Sequence, residues 1–210
     1  MADLTFYTNP MSRGQIARWA LHEAGADYEQ VILDYGTTMK GEDYLAINPM
    51  GKVPAIVRGD DVVTECAAIC AYLADAFPDA GLAPHDDERA DYYRWLFFAA
   101  GPVEAAITNK SLGFAIDPDK EMTAGYGNYD RTVQVLSDHF ADRDFVCGDR
   151  FTMADVYVGS HAAWGMEFGS ITETENLKAY AARIAEREAY QRAKAIDGKL
   201  IAEAEAAKAR

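Results

Sequence analysis

The chain has 210 residues, half of them apolar, and a formal net charge of −14. That length can bury one large core or two modest ones, and the acidic balance argues against nucleic-acid binding, which needs a positive footprint. Any anion site must be a local nest of donors, effective over about one Debye length, roughly 8 Å in physiological salt.

In chain order, Leu4 to Tyr7 reads as a short strand and Gln15 to Ala24 as a helix closed by Gly25, a good left-handed stop. Tyr28 to Leu33 reads as a second strand, completing a βαβ unit. The run Val53 to Val57, the Gly59-Asp60-Asp61 turn and Val62-Val63 predict a β-hairpin. A helix follows from Glu65 to Phe77, stopped by Pro78. Residues 79–86, with Pro84 and no apolar rhythm, read as a linker.

Beyond the linker the pattern is helical throughout. Helices are expected over Asp87–Ala100, Glu121–Asp142, Met153–Met166 and Leu177–Glu188, with a charged, Ala-rich tail from Ala189. Gly101-Pro102 should break or kink the first of these and open a pocket near Glu104. Thr152 and Asp155 have capping-box spacing and are assigned to folding rather than chemistry. The expected division is a first domain over 1–78, the linker, and an all-helical domain over 87–210.

No segment approaches the ~18 apolar residues of a membrane span, and Met1-Ala2-Asp3-Leu4 reads as leading straight into a strand rather than into a secretory signal. Cys66, Cys70 and Cys147 are an odd set, which points to a reducing cytoplasm. Cys66 and Cys70 share a helix face and are read as buried thiols, with no metal site expected.

The most informative stretch is Asn48-Pro49-Met50-Gly51-Lys52-Val53-Pro54, followed by Thr64-Glu65-Cys66. A cis bond costs only about 0.5–1 kcal/mol before proline. A cis Val53-Pro54 bond would turn the N–H and C=O of Val53 outward, where an extended peptide could pair with them as an added strand.

With these pieces in place the chain resembles the soluble glutathione S-transferases over nearly its whole length. The resemblance rests on Phe6 to Gly14, Arg18 to Gly25, the Asn48 to Pro54 turn, Glu65-Cys66, and Gly148 to Asp155, in that order and spacing. It implies a thioredoxin-like α/β N-terminal domain joined to an all-α helical-bundle domain, a homodimer, glutathione as co-substrate and a small hydrophobic electrophile as its partner in reaction. A bacterial-like, serine-type active site is expected. A noncatalytic glutathione-binding, hydrophobe-binding or partner-binding protein of the same fold is the alternative.

The chemistry turns on the end of the first strand. A thiol of pKa about 8.5 is only a few per cent ionised near neutral pH, and the thiolate is the nucleophile. Lowering that pKa by about two units takes about 2.7 kcal/mol. One hydrogen bond to a charged acceptor supplies about 1.5–3 kcal/mol, and a helix N-terminus about 0.3–1 kcal/mol more. Ser12, two residues after Pro10, is the leading thiolate stabiliser by resemblance. Asn9, Arg13 and Tyr7 are the other candidates: tyrosine-type enzymes carry their tyrosine where this chain has Asn9, and cysteine-type enzymes their cysteine where it has Arg13. Ser12 with Gln15 also has capping-box spacing, a purely structural role.

By the same resemblance Glu65 pairs with the γ-glutamyl ammonium, and Cys66, where the family commonly has serine, meets its carboxylate. Glu65 could equally be a first-turn charge on a helix. Val53 and Pro54 would bind the cysteinyl backbone, and Lys40 and Lys52 could meet the glycyl carboxylate or be plain solvated lysines. Met11, Tyr93, Phe97 and Glu104 are the candidates for the electrophile pocket.

Overall fold

The computed structural model describes residues 3–208; the outer ends of the expected segments, at 1, 2, 209 and 210, lie outside the described residues. Two compact units are present. One is built from the chain up to Leu82 together with the chain from Arg187 onward, and the other runs from Ala83 to Glu186.

The first unit is a four-stranded mixed sheet with helices. Its strands are β1 (Leu4–Thr8), β2 (Glu29–Ile32), β3 (Ala55–Arg58) and β4 (Asp61–Thr64), in the order β2-β1-β3-β4. β1 and β2 are parallel, as the intervening α1 (Gly14–Glu23) requires, and the β3–β4 hairpin runs antiparallel beside β1. Leu4, Phe6 and Thr8, alternating along β1, are fully buried. Tyr7, on the opposite face, joins a small core of Leu33, Met39, Tyr44 and Ala55. A short helix, α2 (Glu42–Leu45), supplies Tyr44, and α3 (Cys66–Ala76) packs beside α1.

The C-terminal tail, expected with the helical domain, folds instead as α9 (Glu188–Lys208) in the first unit. Ala189, Ala193 and Asp197 repeat at four-residue spacing and form its buried stripe. Asp197 pairs with Arg18, Tyr190 meets the Trp19 ring edge to face at 4.9 Å, and Arg187 grips Glu23 with two hydrogen bonds of 2.6 and 2.7 Å. These contacts hold α9 on α1.

The second unit is all helical: α4 (Arg89–Phe98), α5 (Glu104–Ser111), α6 (Tyr129–His139), α7 (Met153–Glu167) and α8 (Glu175–Ala185). Gly101-Pro102 does not break the first of these. A π-helical turn over Ala99–Val103 carries the chain from α4 into α5, the wider turn taking in a proline that lacks the usual amide donor. The helix expected over Glu121–Asp142 is shorter, because Gly127 adopts φ +68° and the Asn128 side chain caps α6 by accepting from the Arg131 amide. Thr152 and Asp155 form the expected capping box. The buried Asp155 carboxylate also accepts from the Val146 amide at 2.7 Å and the Tyr180 hydroxyl at 2.9 Å. It thereby ties the loop before α7 to α8.

Candidate active site

Tyr7, Ala55 and Thr64 are cross-strand neighbours. The chain leaving Tyr7, the chain entering Ala55 and the chain leaving Thr64 therefore emerge at one end of the sheet. These segments carry Asn9 to Arg13, Lys52 to Pro54, and Glu65 with Cys66, so register alone gathers most of the expected glutathione-site residues.

At the first of these segments the Ser12 hydroxyl donates to the Asn9 carbonyl at 2.6 Å and accepts the Gly14 amide at 2.9 Å. The capping box expected from Ser12 and Gln15 is not formed. The Gln15 amide group donates to the Pro10 carbonyl at 2.7 Å instead, a nearer acceptor in this tight turn. Asn9 is spent on structure: its Nδ2 donates to the Leu33 carbonyl at 2.8 Å and its Oδ1 accepts the Met11 amide at 2.9 Å. Tyr7 packs its ring against Tyr44, with centroids 5.5 Å apart. Arg13 is exposed, and its carbonyl receives the Cys66 thiol at 3.6 Å.

Gly14 is the residue that lets this turn close. A Cβ there would lie 1.9 Å from Thr8 Oγ1 and 3.0 Å from Ser12 Oγ. Thr8 Oγ1 is itself buried, with no hydrogen-bond partner among the described residues. Sequence reasoning assigned Thr8 no role; its inward register on β1 was the available signal.

In the second segment Val53-Pro54 is cis, as expected. Asn48 Nδ2 and the Tyr44 hydroxyl both donate to the Lys52 carbonyl, at 2.8 and 2.5 Å. Lys40 Nζ donates to the Gly51 carbonyl at 2.6 Å. Burial pushes the Tyr44 phenol up to about 12, so it remains a donor through the neutral range. Lys40 is thus a brace for this loop, and Lys52 is exposed. The backbone N–H and C=O of Val53 have no partner among the described residues. Tyr44 and Asn48 are supports that sequence reasoning left without a role, because both act through backbone carbonyls.

In the third segment Glu65 is the only non-glycine at positive φ among the described residues, at +61°, and its side chain is exposed. A non-glycine held there marks a position fixed by its surroundings. Cys66 opens α3 with its thiol turned inward to Arg13, so an anion at this end would meet the free first-turn amides and the helix dipole rather than the thiol. Cys70, one turn on, is fully buried, and its hydrogen bond with Cys66 together with that burial raises its thiol pKa well above the ordinary value. Both cysteines are free thiols. No cluster of three or more metal-ligating side chains occurs among the described residues, and no described helix is long and apolar enough to cross a membrane.

The electrophile-pocket candidates fall in both units. Met11 is exposed in the turn before α1, where its carbonyl accepts the Tyr35 hydroxyl at 3.0 Å. Tyr93 and Phe97 stand one turn apart on α4, both exposed. Glu104, at the start of α5, lies 3.9 Å from His161 Nδ1.

The assembly is thus an open backbone pair beside a helix-start hydroxyl and a second helix start with an exposed carboxylate. Comparison with known proteins gives that arrangement a context. Residues 2–75 match the family model for the glutathione S-transferase N-terminal domain, and residues 103–188 that for the C-terminal domain. The chain is 31% identical to glutathione S-transferase GstA of Escherichia coli O157:H7, over 85% of this chain and 90% of that protein. It is also 31% identical to glutathione S-transferase 3 of Zea mays, over 91% and 93% of the two chains. A glutathione transferase structure from Methylococcus capsulatus superposes with TM-score 0.75 at 30% identity, covering 93% of this chain and 98% of that one. A sphingomonad glutathione S-transferase, solved in complex with glutathione, gives TM-score 0.74 at 31% identity over 92% and 98% of the two chains.

Proposed function

The chain belongs to the glutathione S-transferase family and is a glutathione transferase, and from that premise we propose that it holds glutathione at this end of the first unit, with Ser12 stabilising the thiolate. The observation that carries the reading is the unpaired backbone of Val53 at the same sheet end as the Ser12 hydroxyl. Val53 and Pro54 bind the cysteinyl backbone as an added strand. Glu65 meets the γ-glutamyl ammonium, and the first-turn amides of α3, beginning with Cys66, receive its carboxylate. Lys52 meets the glycyl carboxylate; Lys40 contributes charge from its position under the loop.

Ser12 serves the thiolate by turning its O–H away from the Asn9 carbonyl while still accepting the Gly14 amide. A neutral hydrogen bond worth about 0.5–1.5 kcal/mol is exchanged for one to a charged acceptor worth about 1.5–3 kcal/mol. The net gain is roughly one pKa unit, to which the start of α1 adds about 0.3–1 kcal/mol. The activated thiolate attacks a small hydrophobic electrophile by addition or displacement. A bacterial-like serine-type site, assembly as a homodimer and a cytoplasmic location complete the proposal.

Ser12→Ala tests it. The thiol pKa of bound glutathione, read from ultraviolet thiolate absorbance, should rise by about one unit and kcat should fall about tenfold near neutral pH, with glutathione KM changed less than about twofold. Unchanged kcat and thiol pKa would make Ser12 a turn residue only.

A further inference from the structure

Cys66 and Cys70 lie four residues apart on α3, so they share one face of the helix, with Cβ atoms about 5–6 Å apart. Cys66 is 7% exposed, Cys70 is fully buried, and neither forms a disulfide. Their thiols are linked in a short chain: Cys70 hydrogen-bonds to Cys66, whose own S–H donates to the Arg13 carbonyl at 3.6 Å. Two sulfurs are thus neighbours within one helix, while Cys147, the remaining cysteine, stands alone in the second unit. The glutathione site proposed above uses the amides at the start of α3 and not these thiols.

The surroundings narrow what such a pair can hold. A disulfide needs Cβ atoms about 3.5–4.5 Å apart, closer than an unbroken helical turn puts them. A zinc-type cation takes three or four protein ligands, and no third ligating side chain joins the pair among the described residues. Burial and the bond to Cys66 keep the Cys70 thiol protonated through the neutral range, so a reagent that requires a thiolate finds a poor nucleophile there. A trivalent organoarsenical meets each of these conditions. It brings a carbon substituent as its own third ligand, and its bent S–As–S unit bridges neighbouring sulfurs without joining them. It also takes thiols together with their protons: the dihydroxy form R–As(OH)2 exchanges both As–O bonds for As–S bonds, and its two hydroxyls leave as water with the two thiol protons. Arsenic stays trivalent throughout, and the product is uncharged, so no unpaired charge is buried.

We infer that Cys66 and Cys70 form a dithiol site for trivalent organoarsenicals, entered through the first turn of α3. Cys66 is the first residue of that helix, beside the exposed Glu65, and terminal turns open at the least cost. Capture draws the Cys66 thiol off the Arg13 carbonyl and leaves the organic substituent on the solvent side. Phenylarsine oxide is the probe, incubated with the reduced full chain without glutathione and followed by native mass spectrometry and circular dichroism. The parent should bind one phenylarsenic with loss of two protons and keep its native spectrum. The adduct should survive excess 2-mercaptoethanol, a monothiol, and be stripped by 2,3-dimercaptopropanol, because a chelate yields only to a chelating dithiol. Cys66→Ala and Cys70→Ala should each lose the monothiol-resistant adduct, and Cys147→Ala should keep it. Cys66→Ala, at a helix end, keeps the test decisive if the core substitution Cys70→Ala fails to fold. The inference is overturned by a parent without a monothiol-resistant adduct, by an adduct that persists in Cys66→Ala or Cys70→Ala, or by one that forms only with loss of the native spectrum. Because the incubation contains no glutathione, its outcome is independent of the reading of the glutathione site.

Discussion

Arg18 Nε donates to Asp197 Oδ1 at 3.0 Å, with both side chains only 1% exposed, and so an ion pair 179 positions apart in sequence lies inside the first unit. Arg18 is also shared by the Tyr28 hydroxyl and Gln30, and its guanidinium lies 5.2 Å from the Phe6 ring centroid. Each partner keeps one atom, Arg18 Nη2 and Asp197 Oδ2, without a hydrogen bond among the described residues.

Removing one member leaves the other as an uncompensated buried charge. Arg18→Met and Asp197→Ala should each lower unfolding free energy by about 3–5 kcal/mol, while the double variant Arg18→Met with Asp197→Leu should be more stable than either. Urea unfolding checks this; single losses below about 1 kcal/mol, the range of surface pairs, would contradict it.

The turn before α1 makes a steric prediction. Gly14→Ala drives a methyl into Thr8 Oγ1 and should cost about 1–3 kcal/mol, the range for overpacking. Thr8→Ala removes the opposing atom, so the pair Thr8→Ala with Gly14→Ala should recover most of that loss. Thermal unfolding of the two singles and the double measures the coupling, and additive losses would refute the contact.

Asp155 carries a pH signature. Burial pushes its carboxyl up to about 6, against four hydrogen bonds that pull it down. Between an unfolded pKa of about 4 and a folded pKa of about 6 the native state holds more protons than the unfolded one, so this group's contribution to stability falls as pH rises through that window. The full effect is about 3 kcal/mol. Asp155→Asn cannot titrate and turns one carboxylate oxygen into an NH2 donor, so it can keep Oδ1 for the Val146 amide and Tyr180 hydroxyl only by losing the Oδ2 acceptor of the Thr152 amide and hydroxyl. It should therefore be clearly less stable than the parent near pH 4, with the gap narrowing by about that amount near pH 7. Urea midpoints at the two pH values decide it; a gap that stays constant or widens contradicts the assignment.

Local signals made much of this fold legible. The strands announced themselves by alternation, the Val53-Pro54 turn by its flanking hairpin, and the Thr152–Asp155 box by spacing. Long-range partners were invisible. Nothing near Asp197 says that its carboxylate meets Arg18, so the tail was read as part of the helical domain. The polar run before Asn128 looked helical until Gly127 took a left-handed conformation and Asn128 supplied the cap. At the site, residue types were readable but their competitors were not. Gln15 turned to the Pro10 carbonyl, the Cys66 thiol to Arg13, and Lys40 to Gly51, each a backbone acceptor that no side-chain pattern reveals.

The most direct test of the glutathione half-site is calorimetric titration of the full chain with glutathione, near neutral pH and under reducing conditions, beside the Glu65→Gln variant. Saturable binding in the micromolar to low millimolar range is the predicted result, weakened about tenfold in Glu65→Gln by loss of a charge-assisted contact of roughly 1.4 kcal/mol. No heat of binding in the parent, or equal affinity in the two proteins, would contradict the account.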